Sequence, residues 1–259
     1  MSAVIGTFTR RRGFSLLELL VSVAVVAILV SLILPVLIHA RESGYRAVCA
    51  SNLRQINVGW SSYLQNHKER FPQFGEQPDW SYGGADFVGP DARPVLASDR
   101  PINPYLIENA GLGQSEELAA IFHCPSDSGI HARNARVRGR NPASILAGET
   151  CFREFGTSYR ANGMLLNSTL AGLDGFNRPL YLHEVQVDPS RLLLTGDAAW
   201  YYATRAPGNA EATLEASWHG GTDAGNMLAV DGSTRFIRFG EWQQSNIAIE
   251  PRPGAIGQH

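Results

Sequence analysis

From Phe14 to Ile38 the chain is apolar at every position except Ser15, Glu18, Ser22, Ser31 and Pro35. About 20 such residues in a helix cross the hydrocarbon core of a bilayer, so the run predicts one transmembrane helix over 14–38. Arg10, Arg11 and Arg12 stand immediately before it, and that basic excess puts the N-terminus on the cytoplasmic side and the bulk of the chain outside. A secretory signal peptide also begins basic and turns apolar. Its apolar core, however, is about 7 to 15 residues long and ends in a small-x-small site, whereas this run is longer and leads into His39-Ala40-Arg41-Glu42.

Beyond the apolar run, Tyr45, Val48, Cys49, Leu53, Ile56, Trp60, Tyr63 and Leu64 recur at three- and four-residue spacings, the mark of an amphipathic helix over 39–70. It continues the first helix, with a soft spot at Ser43-Gly44, into one element of about 50 residues and about 75 Å. The pattern stops between Asn66 and Phe71-Pro72. Residues 71–259 suffice for one globular domain. Gln73 to Arg100 and Ala132 to Pro142 read as loops. Strands are expected over Arg191 to Asp197 and in a hairpin over Asn226 to Ile237. A two-residue Asp231-Gly232 turn would set Val230 opposite Ser233 and Leu228 opposite Arg235, with Met227, Ala229, Thr234 and Phe236 on the other face. The fold class is therefore α+β, a long N-terminal helix packed on a C-terminal antiparallel sheet.

Glu18 breaks this picture. A carboxylate at membrane depth costs at least a few kcal/mol, so it marks function and calls for a partner, most simply an amine at the same depth.

Net charge of −2 and a pI near 6.4 do not make a nucleic-acid footprint. Arg133, Arg136, Arg138 and Arg140 cluster locally but without interleaved aromatics, so a solvated loop is expected and nucleic acid is not an expected partner. Cys49, Cys124 and Cys151 in a domain outside the membrane allow one disulfide and one free thiol. His123-Cys124-x-x-Asp127-x-x-x-His131 carries zinc-ligand types at a spacing that fits no finger. Asp197, His219 and Asp231, with Asp223, offer a calcium-binding set. The plainer reading is that Asp231 serves its turn and His219 packs. No Gly-x-Ser-x-Gly elbow is present, which argues against a hydrolase. Trp200-Tyr201-Tyr202 reads as core or interface rather than a ligand platform, and Asn167-Ser168-Thr169 is a common glycosylation triplet.

The basic leader, Gly13, Phe14-Ser15-Leu16-Leu17-Glu18 and the apolar helix together resemble the class III signal of type IV pilins and type II secretion pseudopilins. The resemblance implies a cytoplasmic leader over 1–13, cleavage between Gly13 and Phe14 by a prepilin peptidase, and N-methylation of Phe14. Glu18 becomes the fifth residue of the mature chain, where its carboxylate meets the terminal ammonium of a neighbouring subunit; in low dielectric such a pair attracts strongly while either charge alone is costly. Pro35 falls where pilins often carry a proline, which implies a place where the helix can loosen in the filament; the residue by itself fits a tolerated kink of a membrane helix equally well. The implied protein is a pilin-like structural subunit without cofactor. It is a single-pass protein of the bacterial inner membrane with a periplasmic domain, and its partners are the peptidase and other pilin or pseudopilin subunits in a filament. The competing reading is a ligand-binding domain for calcium, carbohydrate or a secreted protein, tethered by the same helix.

Phe122-His123-Cys124-Pro125-Ser126-Asp127, Thr157-Ser158-Tyr159, Asp188-Pro189-Ser190, Thr195-Gly196-Asp197 and His219-Gly220-Gly221 leading to Asp231-Gly232 extend the likeness to a bacterial prepilin-like family. Its members carry a Cys-Pro-Ser-Asp phrase and a C-terminal His-x9-Asp-Gly element associated with prepilin processing. Here eleven residues separate His219 from Asp231, which implies an insertion around Thr222 to Gly225. This resemblance also implies a Cys49–Cys124 disulfide, a contribution of about 2 to 4 kcal/mol.

Overall fold

The computed structural model describes residues 15–73, 79–88, 94–110, 116–132, 149–166, 180–203, 214–215, 218–219, 224–238 and 247–251. Gly13, Phe14, the arginine cluster from Arg133, the Asn167 triplet and Asp223 lie outside them. Helix α1 runs Leu16–Asn66, and the chain divides into a unit ending at Arg41 and one beginning at Glu42.

In the first unit the apolar side chains are exposed throughout, including Leu16, Leu20, Val26, Leu32 and Ile38. This stretch is long and apolar enough to cross a membrane. Several of its polar groups are closed within the helix: Ser15 N–H donates to the Glu18 carboxylate at 2.9 Å, Ser22 Oγ to Glu18 O at 2.7 Å and Ser31 Oγ to Ile28 O at 2.7 Å. Such local closure suits a medium that offers no water to bond.

In the second unit the stripe Cys49, Leu53, Ile56, Trp60, Tyr63 and Leu64 is buried. Val48, expected in that stripe, is 45% exposed, because position 48 precedes the row that 49, 53, 56 and 60 trace. The helix closes after Asn66 as Lys68 and Glu69 turn left-handed and Glu69 N–H reaches back to Leu64 O.

The stripe packs on a four-stranded antiparallel sheet. In chain order the strands are β1 Phe87–Val88, β2 Pro94–Val95, β3 His131–Ala132, β4 Tyr159–Ala161, β5 Leu193–Asp197, β6 Leu214–Glu215, β7 Ala224–Ala229 and β8 Thr234–Arg238. The main sheet has the order β4-β5-β7-β8, while β1 pairs β2 and β3 pairs β6 as separate two-stranded ladders. Alternation along Leu192-Leu193-Leu194 sends Leu192 and Leu194 toward the helix with Leu228. It sends Leu193 to a second core with Trp80, Phe155, Trp200, Trp218, Met227 and Ile237. Trp60 Nε1 donates to Thr195 Oγ1 at 3.1 Å across the helix–sheet interface.

Two sequence expectations are corrected here. Gln73 to Arg100 is not simple loop, since it contains β1, β2 and the buried Trp80, Tyr82 and Arg100. The Arg100 guanidinium donates to the carbonyls of Trp80, Gly83 and Phe155. Burial lowers its pKa to about 10, so it remains a cation. The C-terminal hairpin forms, but with Leu228 opposite Thr234 and Met227 opposite Arg235. Gly232 is left-handed at φ 89°, Gly232 N–H bonds Ala229 O, and Ala229 N–H bonds Ser233 O. These bonds describe a three-residue loop in which a type I turn is followed by a left-handed glycine. The extra loop residue shifts the register by one and moves side chains to the opposite faces, so Met227 and Ala229 do not share a face with Thr234 and Phe236.

Among the described residues, five short helices that the apolar pattern did not announce follow α1: α2 Asn103–Ala110, α3 Glu116–Ile121, α4 Cys151–Phe155, α5 Gly163–Leu166 and α6 Ala199–Ala203. Of these, α4 matters for the site.

Candidate functional site

The N-terminal end of the buried stripe is polar. Glu42, Arg46, Cys49 and Asn52 extend the row that Leu53 and Ile56 continue, and each meets a residue far along the chain. Cys49 is joined to Cys124 by a disulfide with Cα atoms 5.3 Å apart. Asn52 Nδ2 donates to His123 O at 3.0 Å and to the Tyr159 hydroxyl at 3.1 Å. Arg46 donates to His219 O at 2.6 Å, and its guanidinium lies 4.4 Å from the centre of the Phe236 ring.

His219 is held between two carboxylates. Its Nδ1 lies 2.8 Å from Glu42 Oε1, and its Nε2 lies 3.1 Å from Asp197 Oδ2 and 3.5 Å from Cys124 Sγ. Burial works to lower its pKa, but the Asp197 and Glu42 carboxylates outweigh burial and raise it above the ordinary value. Its backbone φ is 54°, an uncommon conformation for a residue other than glycine, so the surrounding contacts hold it there. Asp197 Oδ2 also accepts from the backbone and side chain of Asn226. Ser126 Oγ donates to Glu42 at 2.9 Å.

Asp127, two residues after Pro125, is a structural hub. Its Oδ1 accepts from the N–H of Gly129 at 2.9 Å and of Cys151 at 3.0 Å, and its Oδ2 from Phe152 N–H at 2.8 Å and Ser158 Oγ at 2.6 Å. Ser158 Oγ in turn accepts from Cys124 N–H at 3.0 Å. Cys151 and Phe152 open α4, whose first N–H groups have no partner within the helix; Asp127 takes those two, and Thr150 Oγ1 takes Arg153 N–H. Burial pushes the Asp127 carboxyl above its ordinary pKa while these bonds pull it back.

The structure therefore sorts the sequence candidates. Asp197 and His219 come together with the disulfide. Asp231 does not join them: it is exposed, and its Oδ1 accepts Ser233 N–H at 2.8 Å inside its own turn. The calcium set Asp197, His219 and Asp231 is thus not assembled. His123 and Asp127 likewise do not converge, since the His123 side chain is exposed against Phe152 and Asp127 is occupied as described. Cys151 remains a free, buried thiol, whose pKa burial raises well above the ordinary range. Trp200 is core, its Nε1 donating to Arg160 O.

Sequence reasoning missed Glu42 and Arg46. Their signal was spacing, seven and three residues before Cys49 on the same helical row.

The scattered phrases also gather in space. Cys124, Asp127, Ser158, Tyr159, Asp197 and His219 form one network around the disulfide. The Asp188-Pro189-Ser190 phrase meets the hairpin end, where Asp231 N–H bonds Pro189 O and Arg235 bonds Ser190 O.

Residues 8–34 match the family model described as the prokaryotic N-terminal methylation motif. With a membrane-capable apolar helix and a C-terminal antiparallel sheet, the chain is type IV pilin- or pseudopilin-like and α+β. The match ends within the apolar helix, so the His219-to-Asp231 element rests on sequence resemblance alone. No curated protein and no solved structure matches the chain.

Proposed function

We propose that this chain is a prepilin-like structural subunit, cut between Gly13 and Phe14 and N-methylated on Phe14 by a prepilin peptidase, then stacked with other pilin-type subunits into a type II secretion pseudopilus or type IV pilus-like filament. The observation that carries this reading is the methylation motif over residues 8–34, which contains Glu18, the one acid of the apolar run 14–38. Glu18 sits in the first turn of α1. In a stack of subunits with a small axial offset, its carboxylate meets the new terminal ammonium of the neighbour, and methylation leaves that positive charge in place. Each charge alone is costly in hydrocarbon, so the pair favours assembly over isolated subunits.

The outer domain then serves as the surface of the filament. Its buried polar network supports a structural role. Both His219 nitrogens face carboxylates, and the Ser126 hydroxyl is turned to Glu42 rather than to an imidazole, so no nucleophile–base pair of the hydrolase kind forms among these groups.

Intact-mass and N-terminal peptide mass spectrometry of the protein recovered from its membrane tests this reading, with Gly13→Asp as a processing-blocked control. A mature chain beginning at N-methylated Phe14 is expected. An uncut chain, or a cut after the apolar helix, would leave only a tethered or secreted domain.

A further inference from the structure

Cys49, Cys124, Asp197 and His219 each offer one donor atom, and these four atoms lie within 4.8 Å of one another. All four residues are buried, with exposures of 0, 0, 0 and 2%. A tetrahedral ion with bonds of about 2.0–2.3 Å holds its ligands about 3.3–3.8 Å apart. The imidazole Nε2 stands 3.5 Å from Cys124 Sγ, within that range, and 3.1 Å from Asp197 Oδ2, slightly closer than it.

Two further observations aim this cluster at a cation. Asp197 Oδ1 is buried with no hydrogen-bond partner among the described residues, although Oδ2 takes both Asn226 donors. A wholly buried carboxylate oxygen left unmatched is costly, and a bound cation would satisfy it. Glu42 holds the far nitrogen of His219 at 2.8 Å. A metal-binding imidazole is typically oriented by such a carboxylate on its other nitrogen.

We propose that, once the Cys49–Cys124 disulfide is opened, Cys49, Cys124, Asp197 and His219 bind a zinc-class cation, with Glu42 as the positioning residue for the imidazole. Two thiolates, one imidazole and one carboxylate suit zinc, whereas calcium takes six to eight oxygens. Opening requires a dithiol. It gives two electrons and two protons to the S–S bond, its own sulfurs join as a disulfide, and Cys49 and Cys124 become thiols. The cation then displaces both thiol protons and any proton on Nε2, which leave to solvent. In the reverse direction the two thiolates pass two electrons to an acceptor disulfide, their S–S bond re-forms, and the cation loses two of its four ligands. The segments that carry Cys49 and Cys124 are thus tied together in either state, by the S–S bond or by metal. A chain that leaves the cytoplasm with both thiols free can hold its helix to its sheet before it is oxidised.

The test uses the full chain in detergent and cobalt(II) as the probe, with zinc(II) as competitor. A water-soluble phosphine reduces the disulfide and leaves as its oxide. The reduced chain is expected to bind one cobalt with tetrahedral visible bands and thiolate charge-transfer absorption. Zinc should abolish both signals, and the unreduced chain should show neither. Cys151→Ser should bind as the parent does. Glu42→Gln should weaken binding about 10- to 100-fold while keeping the same spectrum. If reduction loosens the domain, cobalt should restore its circular dichroism along with the spectrum. The proposal is overturned if the reduced chain takes up no cobalt. It is equally overturned by octahedral cobalt without charge transfer, by persistence of the signal in Cys49→Ala/Cys124→Ala, or by its loss in Cys151→Ser.

Discussion

Replacing Asp127 by alanine removes the acceptor of four hydrogen bonds at once. The groups left behind are the N–H of Gly129, Cys151 and Phe152 and the hydroxyl of Ser158, in a site where Asp127 is only 8% exposed. A hydrogen bond to a charged group contributes about 1.5–3 kcal/mol net. Four such bonds would sum to more than is ever recovered, because the burial cost of the carboxylate disappears with it and Ser158 can turn to another acceptor. A net loss of about 3–5 kcal/mol is expected, the scale of breaking a buried network. Against a total stability of about 5–15 kcal/mol, that is a large share. Asp127→Asn keeps one oxygen for Gly129 and Cys151 but turns an amide donor toward Phe152 N–H, so about half the loss is expected. Guanidinium unfolding of the full chain in detergent, followed by fluorescence of the buried Trp60, Trp80, Trp200 and Trp218, reads both variants. If Asp127→Ala unfolds within about 1 kcal/mol of the parent, the hub role is wrong, and the four donors must find other acceptors at little cost.

Three other predictions follow from separate features. Cys49→Ala/Cys124→Ala removes a link spanning 75 residues and should lower stability by up to about 4.5 kcal/mol by loop-closure entropy; equal denaturant midpoints for variant and oxidised parent would contradict this. Glu18→Leu should leave membrane insertion intact and abolish incorporation into filaments, read by fractionation and by immunogold labelling; normal incorporation would refute the pairing assigned to Glu18. Gly232→Ala forces a side chain into the left-handed φ of 89° and sets its Cβ 2.6 Å from Asn57 Nδ2. The backbone alone costs about 1–2 kcal/mol, so a lower melting temperature is expected, and an unchanged one would refute the turn geometry.

The long apolar helix, its one acid, the buried stripe from Cys49 to Leu64 and the strand through Leu192-Leu193-Leu194 were legible in the chain itself. Each is a local periodic pattern, and burial rewards it wherever the chain later folds. The C-terminal hairpin was legible as a hairpin, but not its register. One more loop residue at Val230 turns a two-residue connection into a three-residue one, and only the sheet built around β7, which is buried on both faces, decides between them. The meeting of Glu42, Cys49, Cys124, Asp197 and His219 lay further beyond sequence reach. His219 and Glu42 are 177 residues apart, and their contact exists because β5 and β7 pair in the middle of a sheet that α1 covers. Residue types announced that these groups could do chemistry; strand order and helix packing alone chose Asp197 over Asp231 as the carboxylate beside His219, since distance in the chain carries no information about distance in a sheet.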